Sequence, residues 1–459
     1  MHRYLKLARN FNVTRSILLA IAGVISVPVM AWANDPLASN NGLLPGAAEY
    51  SGPLKTANFD YPETADPGVP VWTPGERLTV DNAQAYADRL RTFLDKPLRQ
   101  LIDDAEHWDP AAANFYDLVW MGEGEPGADG KIDPTSGREA LMNTYSGQVL
   151  PPQTFHAGNR PAVPVQNHAV IYYNEQAAVG LGRVWADLYN PNVRGFAFPE
   201  GSIVVKAEAA TPTPAQWPVL TGASTWKVFR PPVMADNDEP TAEVLTLHPV
   251  QISVRIKDST ASPVTGWVFA AFVYDRDAPG ATAFDRFVPL GLQWGDDPEY
   301  ADEPTGKPAT GVLQETWVNP QAPDYADDTL GWGGRLAGAM DVAVRHNVLT
   351  TSGKRYPAEE HFAASSCQSC HSSAEFPFTN NLYPSPNKSF PPDGQTFLFY
   401  DPGSPQWQRW FQNDPGNRPL TPNRGVTALD YDMALMFSLS SFSSASGNEL
   451  LVVPDFDVH

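Results

Sequence analysis

The sequence has only two cysteines in 459 residues, which excludes a disulfide-dense scaffold and any zinc or iron–sulfur site built from four thiolates. Basic residues are also few, since 31 Lys and Arg stand against 52 Asp and Glu, for a net charge of −21. Nucleic acids and anionic membrane surfaces recruit Lys and Arg, so neither is an expected partner. After the first 33 residues no apolar run is long enough to span a bilayer, and we predict a mature protein that does not cross a membrane.

The N-terminus has the pattern of an export signal. An apolar stretch at 17–27 follows a basic segment, and Ala31 and Ala33 provide the small residues of a cleavage site. The basic segment contains Arg3, Lys6, Arg9 and Arg15. Cleavage after Ala33 removes these four basic residues and no acid from a net charge of −21, which leaves −25. We therefore expect a periplasmic or secreted protein; a retained single-span anchor is the alternative, because residues 17–33 are largely apolar.

Both cysteines belong to one motif, Cys367-Gln368-Ser369-Cys370-His371. The pattern C-x-x-C-H is the attachment site of a c-type haem, in which two thiols form thioethers with the porphyrin and the next His binds the iron. A thioredoxin-like redox pair would require a βαβ setting, and a zinc half-site would require further ligands; the sequence predicts neither. We expect one covalent haem c, with Cys367 and Cys370 as attachment residues and His371 as the proximal axial ligand.

The second axial position is open to several interpretations. Met433 and Met436 follow His371 by 62 and 65 residues in a predicted helix, and either is a candidate distal ligand. Both are also typical core residues, because Met fills apolar gaps. Five histidines are possible ligands without further support: His107, His156, His168, His248 and His346. His361 lies only ten residues before His371, too close in sequence to reach the opposite haem face easily.

The chain is predicted to be an α+β protein with an antiparallel sheet as its body. The expected divisions are a signal peptide at 1–33, a Pro-rich lead with a helical segment at 34–165, a β-rich domain at 166–320, and a haem-attachment region at 321–459 packed on it. Short runs of Val, Ile and aromatic residues predict strands at 169–173, 203–206, 250–256, 267–274 and 287–294. In the third of these, Ile252, Val254 and Ile256 alternate with polar residues, which indicates a strand with one buried face. Helices are predicted from Asp81, with an interruption at Pro97, and at 428–439, with Thr427 as a cap.

A β-rich body followed by a C-terminal C-x-x-C-H motif resembles the monohaem family that contains cytochrome c′-β and the cytochromes with a lysine-cross-linked haem. The resemblance extends over about residues 166–375 and rests on Tyr172-Tyr173-Asn174-Glu175, on Phe198-Pro199-Glu200-Gly201, on the strand Ser202 to Lys206 and on the haem motif. It implies His371 as proximal ligand, an open distal side and, in some members, a porphyrin bond to the residue at the position of Lys206. Lys206 alternatively is a surface residue at a strand end. The chain departs from the family in its long N-terminal extension, its insertions and the 88 residues after His371.

These observations together predict an exported monohaem c-type cytochrome that transfers single electrons to or from a redox partner protein. The alternative is a haem enzyme or gas-binding protein that acts on a small ligand such as hydroxylamine, peroxide or nitric oxide. A binding module with a purely structural haem is the third possibility.

Overall fold

The computed structural model describes the chain in segments: residues 35–122, 124, 130–152, 155, 158–233, 241–295, 315–327, 340–342, 347–356, 363–387, 396–420 and 425–446. The predicted signal peptide and the histidines at 156, 346 and 361 lie outside these residues. Within them no helix is long and apolar enough to cross a membrane.

Six helices and sixteen strands make up the regular structure of the described residues. The helices are α1 Ala83–Phe93, α2 Asp95–Asp103, α3 Glu175–Val184, α4 Cys367–Ser372, α5 Pro405–Gln408 and α6 Met433–Ala445. The strands are β1 Phe115–Tyr116, β2 Tyr145–Leu150, β3 Val165–Asn174, β4 Ile203–Ala210, β5 Trp226–Arg230, β6 Glu243–Lys257, β7 Trp267–Tyr274, β8 Phe287–Gln293, β9 Thr316–Val318, β10 Met340–Val342, β11 Asn347–Thr350, β12 Arg355–Tyr356, β13 Ala363–Ser366, β14 Glu375–Phe376, β15 Thr396–Phe399 and β16 Thr427–Ala428.

A nine-stranded antiparallel sheet forms the body, which confirms the α+β prediction. Its main order is β1-β3-β4-β6-β7-β8-β9, with β2 paired to β3 and β5 paired to β6. All five predicted strands are present, and β3, β4 and β6 extend beyond the expected limits. The lead segment contributes β1 and β2, which the sequence pattern missed because the surrounding composition is typical of loops.

The two faces of this sheet pack against different parts of the chain. Ile252, Val254 and Ile256 lie on the face covered by α1 and α2, as their alternation predicts. The opposite face contacts α3, α6 and the segment that contains the cysteine motif. Polar residues of β6 on this second face are therefore not all in solvent, and Arg255 is buried there.

Two helix boundaries differ from the prediction. The break between α1 and α2 falls at Leu94 rather than at Pro97, because a proline in the first turn of a helix gives up an N–H that has no helical acceptor there. Helix α6 begins at Met433 rather than at residue 428, with the Asp432 carboxylate accepting the Leu435 N–H as its N-cap. Asp430 and Tyr431 have positive φ angles of 48° and 66°, so the chain turns sharply before the helix.

Candidate haem-attachment site

The cysteine motif forms the single-turn helix α4 directly after β13. Ser366 and Ser369 cap this helix reciprocally, since each side chain bonds the main-chain N–H of the other. The Gln368 N–H donates to the Gln293 side-chain oxygen at 2.8 Å, which attaches the helix to the end of β8. The motif is thus held on the main sheet by side-chain hydrogen bonds.

The two thiols and the imidazole of helix α4 lie on one side of the helix. Residues three and four apart lie on the same face of a helix, so Cys367, Cys370 and His371 share one face. These three residues are half-buried, whereas Gln368 and Ser369 between them are 0% and 1% exposed. Neither cysteine forms a disulfide bond. The accessible side of the helix therefore carries both thiols and the imidazole.

The His371 ring is oriented by two contacts. Its Nδ1 lies 3.0 Å from the carbonyl oxygen of Tyr431, and its ring centroid lies 5.0 Å from that of Phe269 on β7. A carbonyl can only accept, so Nδ1 carries the proton in this bond and Nε2 keeps its lone pair in the neutral ring. A metal-binding histidine characteristically donates its other ring N–H to a carbonyl or carboxylate in this way. The geometry fits a proximal haem ligand.

The backbone brings the Tyr431 carbonyl to His371 through a short sheet. Strand β14 follows α4 and pairs with β16, and the Leu429 N–H donates to the Ala374 carbonyl at 2.9 Å. The turn at Asp430 and Tyr431 comes directly after β16. Pairing of these two short strands thus places the turn beside the motif, although His371 and Tyr431 are 60 residues apart.

Asp430 holds this turn from one side. Its carboxylate accepts hydrogen bonds from the Trp267 indole at 2.9 Å, the Lys257 ammonium at 2.7 Å and the Phe198 main-chain N–H at 2.8 Å. The carboxylate is 1% exposed, so these charge-assisted bonds act where little water competes. They compensate for the left-handed backbone of Asp430 and Tyr431.

Arg255 and Asp432 hold the turn from the other side. The Arg255 guanidinium donates to the Tyr431 carbonyl oxygen, the same atom that accepts from His371. The guanidinium also lies 3.3 Å from the Asp432 carboxylate, which accepts from the Tyr173 hydroxyl at 3.0 Å. One backbone oxygen is therefore shared by the candidate axial ligand and a buried arginine.

A row of half-exposed residues crosses the centre of the sheet beside the motif. Ile171, Lys206, Ser253, Ala271 and Gly291 are paired neighbours on β3, β4, β6, β7 and β8. Of these only Ala271 is fully buried, which is unusual for central strands whose adjoining positions are buried. Phe269 belongs to a second row of paired residues on the same face of the sheet, two residues away along each strand.

Lys206 is placed within this row, in the interior of β4 rather than at a strand end. Its side chain is 30% exposed, and its ammonium lies 2.7 Å from the buried carboxylate of Glu208. Lys206 and Phe269 are two strands apart and two residues apart along the strand direction, which is a distance of about 12 Å. Lys206 and the motif thus face the same side of the sheet. Phe269, which contacts the His371 ring, does not reach Lys206.

The two candidate methionine ligands occupy different surroundings. Met436 is 0% exposed and lies in the core that α6 forms with the sheet. Met433 is half-buried, and its sulfur lies 3.8 Å from the sulfur of Cys370. Met433 therefore borders the motif helix itself.

The described histidines other than His371 belong to other parts of the fold. His107 is exposed and bonds Asp104, while His248 bonds the Ser224 carbonyl. His168 is fully buried on β3, and both of its ring nitrogens lack a hydrogen-bond partner. Burial, with a smaller effect of the Arg230 charge, lowers the pKa of His168 to about 3. Across the described ranges, no group of three or more His, Cys, Asp or Glu side chains is arranged to bind a metal ion.

The sequence pattern identified the motif but missed its support. The Tyr431 carbonyl is a main-chain atom and leaves no signature in residue type. Arg255 leaves a weak signature in the sequence, because a basic residue between apolar residues of a strand is either exposed or paired. No family model matches this chain, and comparison with the curated proteins and the solved structures likewise finds no match.

Proposed function

We propose that this chain is an exported monohaem c-type cytochrome that transfers single electrons. The observation that supports the proposal most strongly is the accessible face of α4, on which Cys367, Cys370 and His371 lie together. Cysteine pairs that serve only packing are usually buried and inert. Here the two residues between them are buried, whereas both cysteines are half-buried.

The residues present fit a covalently attached haem. Each thiol would add across a porphyrin vinyl group, with sulfur bonding one vinyl carbon and the thiol hydrogen passing to the other, so that no oxidant is needed. Nε2 of His371 would bind the iron, while Nδ1–H remains on the Tyr431 carbonyl.

The proposed electron transfer would use these residues to hold the haem iron. A bound haem supplies an iron that takes one electron from a reduced donor and passes it to an oxidised acceptor. The chain's part is to hold His371 in a fixed orientation through Phe269 and the Tyr431 carbonyl. The mature charge of −25, which is −21 less the four basic residues of the signal segment, favours a partner with a basic docking surface.

The second candidate function is binding or conversion of a small ligand at an open sixth position. It is favoured by the placement of the methionines, because Met436 is enclosed in the core and Met433 contacts Cys370, on the helix that supplies the proximal ligand. Neither methionine would therefore be the residue that holds the iron together with His371.

Spectra of the purified, matured protein separate the two functions. An electron carrier should be reduced by dithionite and reoxidised fully by ferricyanide, with one electron per chain. Carbon monoxide should then bind the ferrous protein readily if the sixth position is open, and slowly or not at all if a methionine occupies it. A protein that contains no haem, or one whose iron does not cycle, would contradict the proposal of electron transfer.

A further inference from the structure

The geometry points to Arg255 as a positioning residue that raises the reduction potential of the haem iron through the Tyr431 carbonyl. The inference rests on the proposed function, since it concerns an iron bound by His371. Its basis is the shared acceptor: His371 Nδ1 and the Arg255 guanidinium both donate to the same backbone oxygen.

Sharing of the carbonyl weakens its bond to His371. A cationic donor draws electron density from the oxygen more strongly than a neutral one, so the oxygen becomes a poorer acceptor for the second donor. A weaker bond at Nδ1 leaves the imidazole less like an imidazolate and a poorer electron donor to iron. Less donation favours the ferrous state, so this contact raises the potential.

The charge of Arg255 acts in the same direction. Arg255 is 7% exposed, and a positive charge in such surroundings is only weakly screened. Its carboxylate partner Asp432 is 0% exposed and lies 3.3 Å away. Removal of the guanidinium would leave this negative charge without its cation, which favours the ferric state. The hydrogen-bond effect and the charge effect therefore agree in sign.

Lys257 offers a matched control. It lies two residues along the same strand, is also largely buried, and pairs with Asp430 in the same turn. Its ammonium contacts the Asp430 carboxylate and not the carbonyl that His371 uses. Replacement of Lys257 removes a similar charge from a similar place without changing the shared acceptor.

The experiment compares Arg255→Gln, Arg255→Lys and Lys257→Gln in the matured protein by redox titration. In Arg255→Gln we expect the ratio of ferric to ferrous protein at a fixed solution potential to rise about tenfold, which is a shift of about −59 mV for one electron. Arg255→Lys should recover part of the shift, and Lys257→Gln should produce a clearly smaller one. Equal shifts in Arg255→Gln and Lys257→Gln, or none in Arg255→Gln, would overturn the inference.

A second readout reports the hydrogen bond itself. In the ferric cyanide adduct, the His371 Nδ1 proton should exchange with solvent more slowly in Arg255→Gln, because its bond to the carbonyl is stronger; faster exchange contradicts the inference. If Arg255→Gln does not fold, Asp432→Asn decides instead. Its amide oxygen can still cap α6, its negative charge is gone, and the potential should rise; an unchanged or lower potential overturns the inference. Absence of covalent haem from the unaltered protein would refute the proposed function rather than the role of Arg255.

Discussion

Nδ1 of His371 lies 3.0 Å from the carbonyl oxygen of Tyr431, which joins the last residue of the cysteine motif to the turn before the C-terminal helix. The bond fixes the tautomer of His371, so that Nε2 is the ring nitrogen that would bind a metal ion. It also means that the region after the motif is part of the site. Truncation of the chain before β16 would remove this acceptor.

Replacement of His371 with Gly should leave the haem attached and change its ligation. The two proposed thioethers would not depend on the imidazole, so haem staining after denaturing electrophoresis should persist. The absorption spectrum should change and should return towards that of the unaltered protein when free imidazole is added at millimolar concentration. His107→Gly is the matched control, because His107 is exposed and distant in sequence. An unchanged spectrum in His371→Gly would exclude His371 as the axial ligand.

Replacement of Asp432 with Ala should strongly destabilise the protein. The carboxylate is fully buried, caps α6, accepts from Tyr173 and is the partner of Arg255. Loss of one partner of a buried ion pair costs about 3–5 kcal/mol of unfolding free energy. The loss should appear as a lower urea midpoint. Asp432→Asn, which retains a capping oxygen, should lose less, and equal loss in both variants would contradict a capping contribution.

His168 should make stability depend on pH. Its pKa is about 3 in the folded chain and about 6.5 in an unfolded one, so below pH 6.5 only the unfolded chain takes up the proton. The free energy of unfolding should therefore fall by about 1.4 kcal/mol per pH unit between about pH 6 and pH 3 from this residue alone. His168→Leu should remove that part of the slope, measured as the difference between the two urea-unfolding curves. Identical slopes would show that His168 is solvated.

Electron exchange with a basic redox protein should be fastest at low salt. The Debye length falls from about 30 Å at 0.01 M to about 8 Å at 0.15 M salt. Attraction to the mature chain, whose net charge is −25 after loss of the four basic residues from −21, is therefore increasingly screened. We expect the bimolecular rate to fall several-fold over this range in stopped-flow measurements. Exchange with a small uncharged mediator is the control and should hardly change. A rate with the basic protein that is independent of salt would mean that the acidic charge does not steer a partner.

Local sequence patterns predicted those features of the fold that depend on residues close together in the chain. The alternation of Ile252, Val254 and Ile256 placed one face of β6 correctly because strand periodicity is a local property. The same alternation could not show that Arg255, on the other face, is buried by a segment more than 170 residues away. The start of α6 was predicted too early, because the contacts that hold Asp430 in a left-handed conformation come from Trp267 and Lys257.

In the candidate site, too, the sequence predicted residues that are close together in the chain but not contacts between distant segments. Cys367, Cys370 and His371 are recognisable by spacing, since one helical turn brings them to one face. Lys206 was singled out by resemblance alone, and the structure places it on the motif's side of the sheet, paired with Glu208. The acceptor for His371 depends on the pairing of β14 with β16. Strands of only two residues leave no recognisable pattern in the sequence, so this pairing could not be predicted.

Covalent attachment of haem is tested by comparing the unaltered chain with Cys367→Ser/Cys370→Ser. Both should be produced with the signal segment in a host that matures c-type cytochromes, then denatured, separated by electrophoresis and stained for haem peroxidase activity. Ser366→Ala is a suitable control, because it removes a cap of α4 without changing a thiol. We expect stain at the position of the chain in the unaltered protein and in the control, and none in the double variant. No stain in the unaltered protein, or stain that persists in the double variant, would contradict a c-type haem at this motif.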